Sequence, residues 1–124
     1  MTRRKKILLV DDAETVLLME RMILQGEPYD IVTARDGDEA IAQALAERPD
    51  LILLDIVMPK KDGFEVCRTL RNHADTRDTP ILLVSTRGEP QNVEAGFASG
   101  CNDFVTKPVD RLVLLSKIRS HLGG

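Results

Sequence analysis

Leu51-Ile52-Leu53-Leu54-Asp55 is apolar on four successive residues and then stops at an acid. A strand with one wet face alternates apolar and polar side chains, whereas a strand covered on both faces does not. Two more runs read the same way, Ile7-Leu8-Leu9-Val10 and Ile81-Leu82-Leu83-Val84, and two β-rich runs join them, Ile31–Ala34 and Phe104–Thr106. Helical periodicity fills the intervals. Val16, Met19 and Ile23 share one face, as do Ile41, Ala44 and Leu45, then Val66, Cys67 and Leu70, and finally Leu115, Ile118 and Leu122. The helix between the last two strands rests on Val93 and Phe97 alone. Asp36-Gly37-Asp38-Glu39 and Thr86-Arg87-Gly88-Glu89 read as helix starts, and Gly26-Glu27-Pro28 and Arg48-Pro49 as helix ends. This alternation predicts an α/β domain of (βα)5 type. Its five parallel strands are joined by right-handed crossovers, with helices on both faces.

Composition narrows the function. The 124 residues fit a single domain, residues 1–124, with a core over about 6–122 and Gly123-Gly124 as a frayed tail or the start of a linker. Lys and Arg number 17 against 20 Asp and Glu, a net charge of −3, which argues against a direct nucleic-acid binder. No apolar run approaches the ~20 residues of a membrane helix, so no membrane partner is expected. The basic stretch Arg3–Lys6 ahead of Ile7–Val10 imitates a signal peptide only until Asp11-Asp12, and reads as a solvated lead-in. Cys67 and Cys101 have neither metal spacing nor a disulfide framework, and the default is a reduced, cytoplasmic protein. His73 and His121 read as helix-surface residues.

Ligands of a parallel α/β sheet sit beyond the carboxyl ends of its strands. Asp11 and Asp12 follow the first strand, Asp55 the third, Ser85 and Thr86 the fourth, and Lys107-Pro108 the fifth. The topology therefore gathers three carboxylates, a hydroxyl and one ammonium at one edge. Two carboxylates ~5 Å apart repel by about 3 kcal/mol at an effective dielectric near 20. Three of them beside one lysine call for a further cation. An all-oxygen donor set suits Mg²⁺ and not zinc. A carboxylate held there can act as a nucleophile toward a phosphoryl group.

These pieces resemble a known family. LLVDD (8–12), LILLDIVMPKKDG (51–63), LLVS (82–85) and DFVTKP (103–108) occur in the order and at the separations of the receiver domains of two-component response regulators. The resemblance implies a doubly wound, flavodoxin-like sheet in strand order 2-1-3-4-5. It implies Asp55 as phosphoacceptor for a sensor histidine kinase or histidine phosphotransfer protein. Asp11, Asp12, Asp55 and the backbone carbonyl of Val57 would hold Mg²⁺. Lys107 would contact the phosphoryl oxygens across a cis Lys107-Pro108 bond, with Ser85 and Phe104 as switch residues. Val57, Thr86 and Arg87 flank the site where phosphoryl lifetime is tuned. Thr86 departs from the alanine common in the family.

The resemblance further implies a stoichiometric phosphoacceptor, one that catalyses its own phosphorylation and dephosphorylation and is not otherwise an enzyme. It would control a downstream protein or a fused output domain through the face around its fourth helix, fifth strand and fifth helix. It would be a monomer or a phosphorylation-dependent dimer. Two alternatives stand beside this. A Mg²⁺-dependent aspartyl-phosphate phosphatase would need an acid two residues after Asp55, where Val57 stands. A phosphorylation-independent module of the same fold would not need the acids and the lysine, which are all present.

Overall fold

The apolar runs are strands, and their alternate residues point to opposite faces of one sheet. The structure, a computed structural model, describes residues 4–86 and 90–123, with residues 90 and 91 described for their backbone alone. The elements run β1 (Lys5–Val10), α1 (Glu14–Leu24), β2 (Tyr29–Ala34), α2 (Gly37–Glu47), β3 (Leu51–Asp55), α3 (Gly63–Arg71), β4 (Ile81–Ser85), α4 (Pro90–Ser99), β5 (Asp103–Thr106) and α5 (Arg111–Leu122). All strand pairs are parallel and the order is β2-β1-β3-β4-β5.

Leu8, Val10, Ile52, Leu54, Ile81 and Leu83 face one side and pack with Ala40, Ala44, Val66, Cys67 and Leu70 of α2 and α3. Ile7, Leu9, Leu51, Leu53, Leu82 and Val84 face the other and pack with Leu17, Leu24, Leu114, Leu115 and Ile118 of α1 and α5. A strand with two covered faces has no reason to alternate, which is why these runs are apolar throughout.

The helix starts are built locally. The Asp36 carboxylate accepts from the Glu39 amide at 2.8 Å, and the Glu39 carboxylate accepts from the Arg35 amide at 2.6 Å. Asp62 and Asp110 cap α3 and α5 in the same way. The corresponding reading of Thr86–Glu89 lies, beyond Thr86, outside the described residues.

Four expectations are corrected. In α1 the buried residues are Leu17, Glu20 and Leu24, while Met19 is 39% exposed and Val16 and Ile23 are half-buried. This helix is apolar almost all round, so periodicity leaves its rotation open by one residue. In α4 Phe97 is exposed, and Gly96 and Ser99 face inward instead. Small residues let that helix lie close to the Phe104 ring, which meets Phe97 edge-on at a centroid distance of 5.5 Å. The basic lead-in is solvated at Arg4 and Lys5, with Arg4 3.1 Å from Asp30, but Lys6 belongs to β1 and is half-buried, 3.0 Å from Glu47. His121 is half-buried with its Nε2 3.3 Å from Asp103, which also accepts from Lys117 at 2.9 Å.

Candidate functional site

The register of the sheet decides where the acids go. Val10 is level with Leu54, and Asp55 with Val84, so β1, β3 and β4 finish at nearly one height. Past the end of β1, the Asp11 amide still donates to the Ala34 carbonyl at 3.1 Å, and the Asp11 carboxylate accepts from the Ala13 amide at 2.9 Å. These bonds hold Asp11 at the strand tip, almost fully buried, and turn the chain into α1. Asp12, next along, is exposed.

The loop from Ile56 to Gly63 is closed by the Gly63 amide donating to the Ile56 carbonyl at 2.8 Å. A Cβ on Gly63 would lie 2.6 Å from the Asp55 carbonyl oxygen and 2.9 Å from Ile56 Cα. Only glycine lets α3 begin this close to β3, which is what the Asp62-Gly63 pair supplies.

β5 brings the cation. The Lys107 amide donates to the Ser85 carbonyl at 2.7 Å, so the ends of β4 and β5 are tied together, and the Lys107-Pro108 peptide is cis. Lys107 Nζ lies 2.8 Å from Asp11 Oδ2 and 3.4 Å from Asp55 Oδ1. One oxygen from each of Asp11, Asp12 and Asp55 lies within 4.8 Å of the others. Among the described residues, three carboxylates thus share the Lys107 ammonium. Burial, reinforced by the charges of Asp11 and Asp12 and opposed by Lys107, pushes the Asp55 carboxyl up to about 6. Burial works to lower the Lys107 pKa, but its bonds and attraction to Asp11 and Asp55 leave it above the ordinary value. The cluster is under-neutralised, and its donors are all hard oxygens, the set that fits a small hard dication.

A hollow of about 130 Å³ opens on Asp55 and is bordered by Val57, Ser85, Thr86, Asn92 and Lys107. Asp55 and Ser85 are buried in it, and the Val57 side chain stands 77% exposed at its mouth. Asp11, Asp12, Asp55, Ser85, Thr86 and Lys107 are therefore brought together as the strand ends predict. Phe104 is level with Leu83, two residues short of Ser85, and packs against the core on the α2–α3 side. Arg87 lies outside the described residues.

Two residues escaped the sequence reading. Asn92 lies in the first turn of α4, a helix with almost no periodic signal. Glu20 lies on the inward face of α1, 1% exposed, with its Oε1 lacking any hydrogen-bond partner among the described residues. Its position between Leu17 and Leu24 was the available signal, had the rotation of α1 been known.

Comparison with known proteins agrees with this geometry. Residues 7–119 match the family described as the response regulator receiver domain. The response regulator PleD of Caulobacter vibrioides is 41% identical over 115 residues, which cover 93% of this chain and 25% of PleD. Protein PilH of Pseudomonas aeruginosa is 35% identical over 119 residues, 96% of this chain and 98% of PilH. Of solved structures, the chemotaxis protein CheY4 of Vibrio cholerae aligns with a TM-score of 0.92 at 34% identity, covering 97% of this chain and all of that one. The receiver domain of the sensor histidine kinase PA1611 of Pseudomonas aeruginosa, which has a magnesium ion coordinated in its active site cleft, aligns with a TM-score of 0.90 at 27% identity over 98% of this chain and all of that one. The chain spans only a quarter to about half of the length of several curated relatives it matches. Among the described residues no helix is long and apolar enough to cross a membrane. With strand order, strand-end residues and a match from residue 7 to residue 119 all in agreement, the chain belongs to the response regulator receiver domain family.

Proposed function

We propose that this protein is a phosphorylation-dependent signalling switch whose acceptor is Asp55. The observation that carries the reading is the meeting of three carboxylates from two strand ends within 4.8 Å, with Lys107 reaching both Asp11 and Asp55. Core packing does not gather like charges, and a binding or reaction site does.

In the reaction, an Asp55 carboxylate oxygen attacks the phosphorus of a phosphohistidine on a sensor kinase or a histidine phosphotransfer protein. The new O–P bond forms as the P–N bond breaks, and the imidazole nitrogen keeps the electron pair. Lys107, already beside Asp55, draws toward the phosphoryl oxygens and offsets their charge. The Ser85 hydroxyl, at the same strand-end level, donates to one of them. Asp11, Asp12, Asp55 and the Val57 carbonyl are the groups that would hold Mg²⁺, which supplies positive charge to the transferring phosphoryl group. The protein is a stoichiometric acceptor that speeds its own loading and unloading.

Phosphorylation would bias two arrangements of the face made by α4, β5 and α5. Shifting a 1:99 population to 99:1 requires about 5.5 kcal/mol of differential stabilisation. Hydrogen bonds to charged groups contribute about 1.5–3 kcal/mol each, so the Ser85 and Lys107 contacts together reach that range. Phe104, on β5 and against Phe97 of α4, is placed to carry the change outward. The reader of that face is a partner protein or a fused output domain.

Incubation with Mg²⁺ and acetyl phosphate should raise the intact mass by one phosphoryl group, and Asp55→Asn should abolish the gain. Equal labelling of that variant would remove Asp55 from its role.

A further inference from the structure

The acceptor carboxylate forms the floor of its hollow, and that fixes which side water comes from. Asp55 is 6% exposed and Ser85 is buried beside it with Lys107 ion-paired to it, whereas Val57 and Thr86 in the same lining are exposed and Asn92 is half-buried, which puts these three nearer the solvent. In-line hydrolysis needs the attacking oxygen opposite the leaving one. The leaving oxygen belongs to the floor, so the water must stand at the mouth. Of the three described residues there, Val57 has no polar side-chain atom. Thr86 has a single hydroxyl. Asn92, half-buried in the first turn of α4, has an amide that both donates and accepts in one rigid plane.

We propose that Asn92 is a positioning residue for loss of the phosphoryl group, its carboxamide orienting the attacking water at the mouth of the Asp55 hollow. The proposal rests on Asp55 being the acceptor. The Asn92 Oδ1 accepts a hydrogen bond from the water, while the Nδ2 group donates to a phosphoryl oxygen and sets the angle between them. The water oxygen forms its bond to phosphorus as the bond from phosphorus to the Asp55 oxygen breaks. The carboxylate keeps that electron pair, and the water's protons leave on the inorganic phosphate. An amide takes no proton in this step, so its contribution is alignment and not base catalysis. The same contact couples phosphoryl lifetime to α4, because any movement of that helix's first turn moves the group that holds the water.

The test uses the whole chain, loaded with acetyl phosphate and Mg²⁺ and then freed of donor, with decay of the phosphorylated mass followed in time. Asn92→Ala should slow decay roughly three- to tenfold, the worth of one neutral hydrogen bond at the transition state. The initial loading rate, the Mg²⁺ affinity and the melting temperature should stay within twofold or a few degrees of the parent, since none of them needs the ordered water. Asn92→Gln, which keeps the amide, should recover part of the rate. Decay of Asn92→Ala at the parental rate, or failure of Asn92→Gln to recover any of the lost rate, would overturn the proposal. If the parent takes no phosphoryl group on Asp55, it is the acceptor assignment that fails, and that result is seen before any decay is measured.

Discussion

Glu20 is the group whose replacement tests the electrostatics of this fold most directly. It lies on the buried face of α1 with Leu17 and Leu24, 1% exposed, with Oε1 unpartnered among the described residues. Burial first, then the charge of Asp11, pushes its carboxyl from 4.5 up to about 8, against the pull of Lys107 and with a further push from Asp55. In the unfolded chain the proton leaves near 4.5, and in the native protein it stays until about 8. Between those values the native state binds more protons than the unfolded state, so stability falls as pH rises. The fall is complete above the native value.

Each factor of ten is about 1.36 kcal/mol, so the full penalty is on the order of 4 to 5 kcal/mol in alkali and about 3 kcal/mol at pH 7. Local relaxation and water entry reduce it, and about 1–3 kcal/mol is the expected measured size at pH 7. Urea unfolding of the parent, Glu20→Gln and Glu20→Met should be run at pH 5, 7 and 8.5 with a chelator present. The stability difference between each variant and the parent should widen from pH 5 to pH 8.5 by more than about 1 kcal/mol, in favour of the variant. Differences in packing are the same at every pH and cancel in that comparison. A difference that stays flat with pH would refute a neutral, buried Glu20, and one that narrows would reverse its sign.

Two further outcomes follow from the site and its loop. Because the Asp55 carboxyl titrates near 6 and a cation needs it ionised, Mg²⁺ affinity measured by calorimetry should weaken as pH falls through 6, and Asp55→Asn should remove most of that dependence. Gly63→Ala must force the Asp55 carbonyl and Ile56 Cα apart from the new Cβ, and should cost about 1–3 kcal/mol in urea unfolding while lowering the initial rate of phosphorylation.

The fold was legible because the chain states it locally and more than once. Runs apolar on every residue, such as Leu51–Leu54, demand cover on both faces. A parallel sheet between two helical layers is how a chain of this length provides it. Which residues meet at the candidate site was legible for the same reason. The topology puts every strand's carboxyl end on one edge, so Asp11, Asp12, Asp55, Ser85 and Lys107 could be named from their position after each run.

Rotation, reach and charge balance were not in the sequence. Seven apolar residues lie along α1, and only its contact with the sheet selected Leu17, Glu20 and Leu24 as the inward set, turning an apparently solvent-facing acid into a buried one whose carboxyl is pushed up to about 8. Nothing in the pattern of α4 placed Asn92 at the mouth of the hollow, since Phe97 turned outward and Gly96 inward. The ion pairs of Arg4 and Lys6 were not legible because Asp30 and Glu47 are distant along the chain and close only once β2 and α2 are packed. Periodicity records which residues avoid water, and so the chain alone determined the layers and the list of groups at the strand ends. Helix phase, the neighbours of each charge and the side from which water reaches Asp55 depend on contacts between residues far apart in sequence, and those exist only in the packed structure.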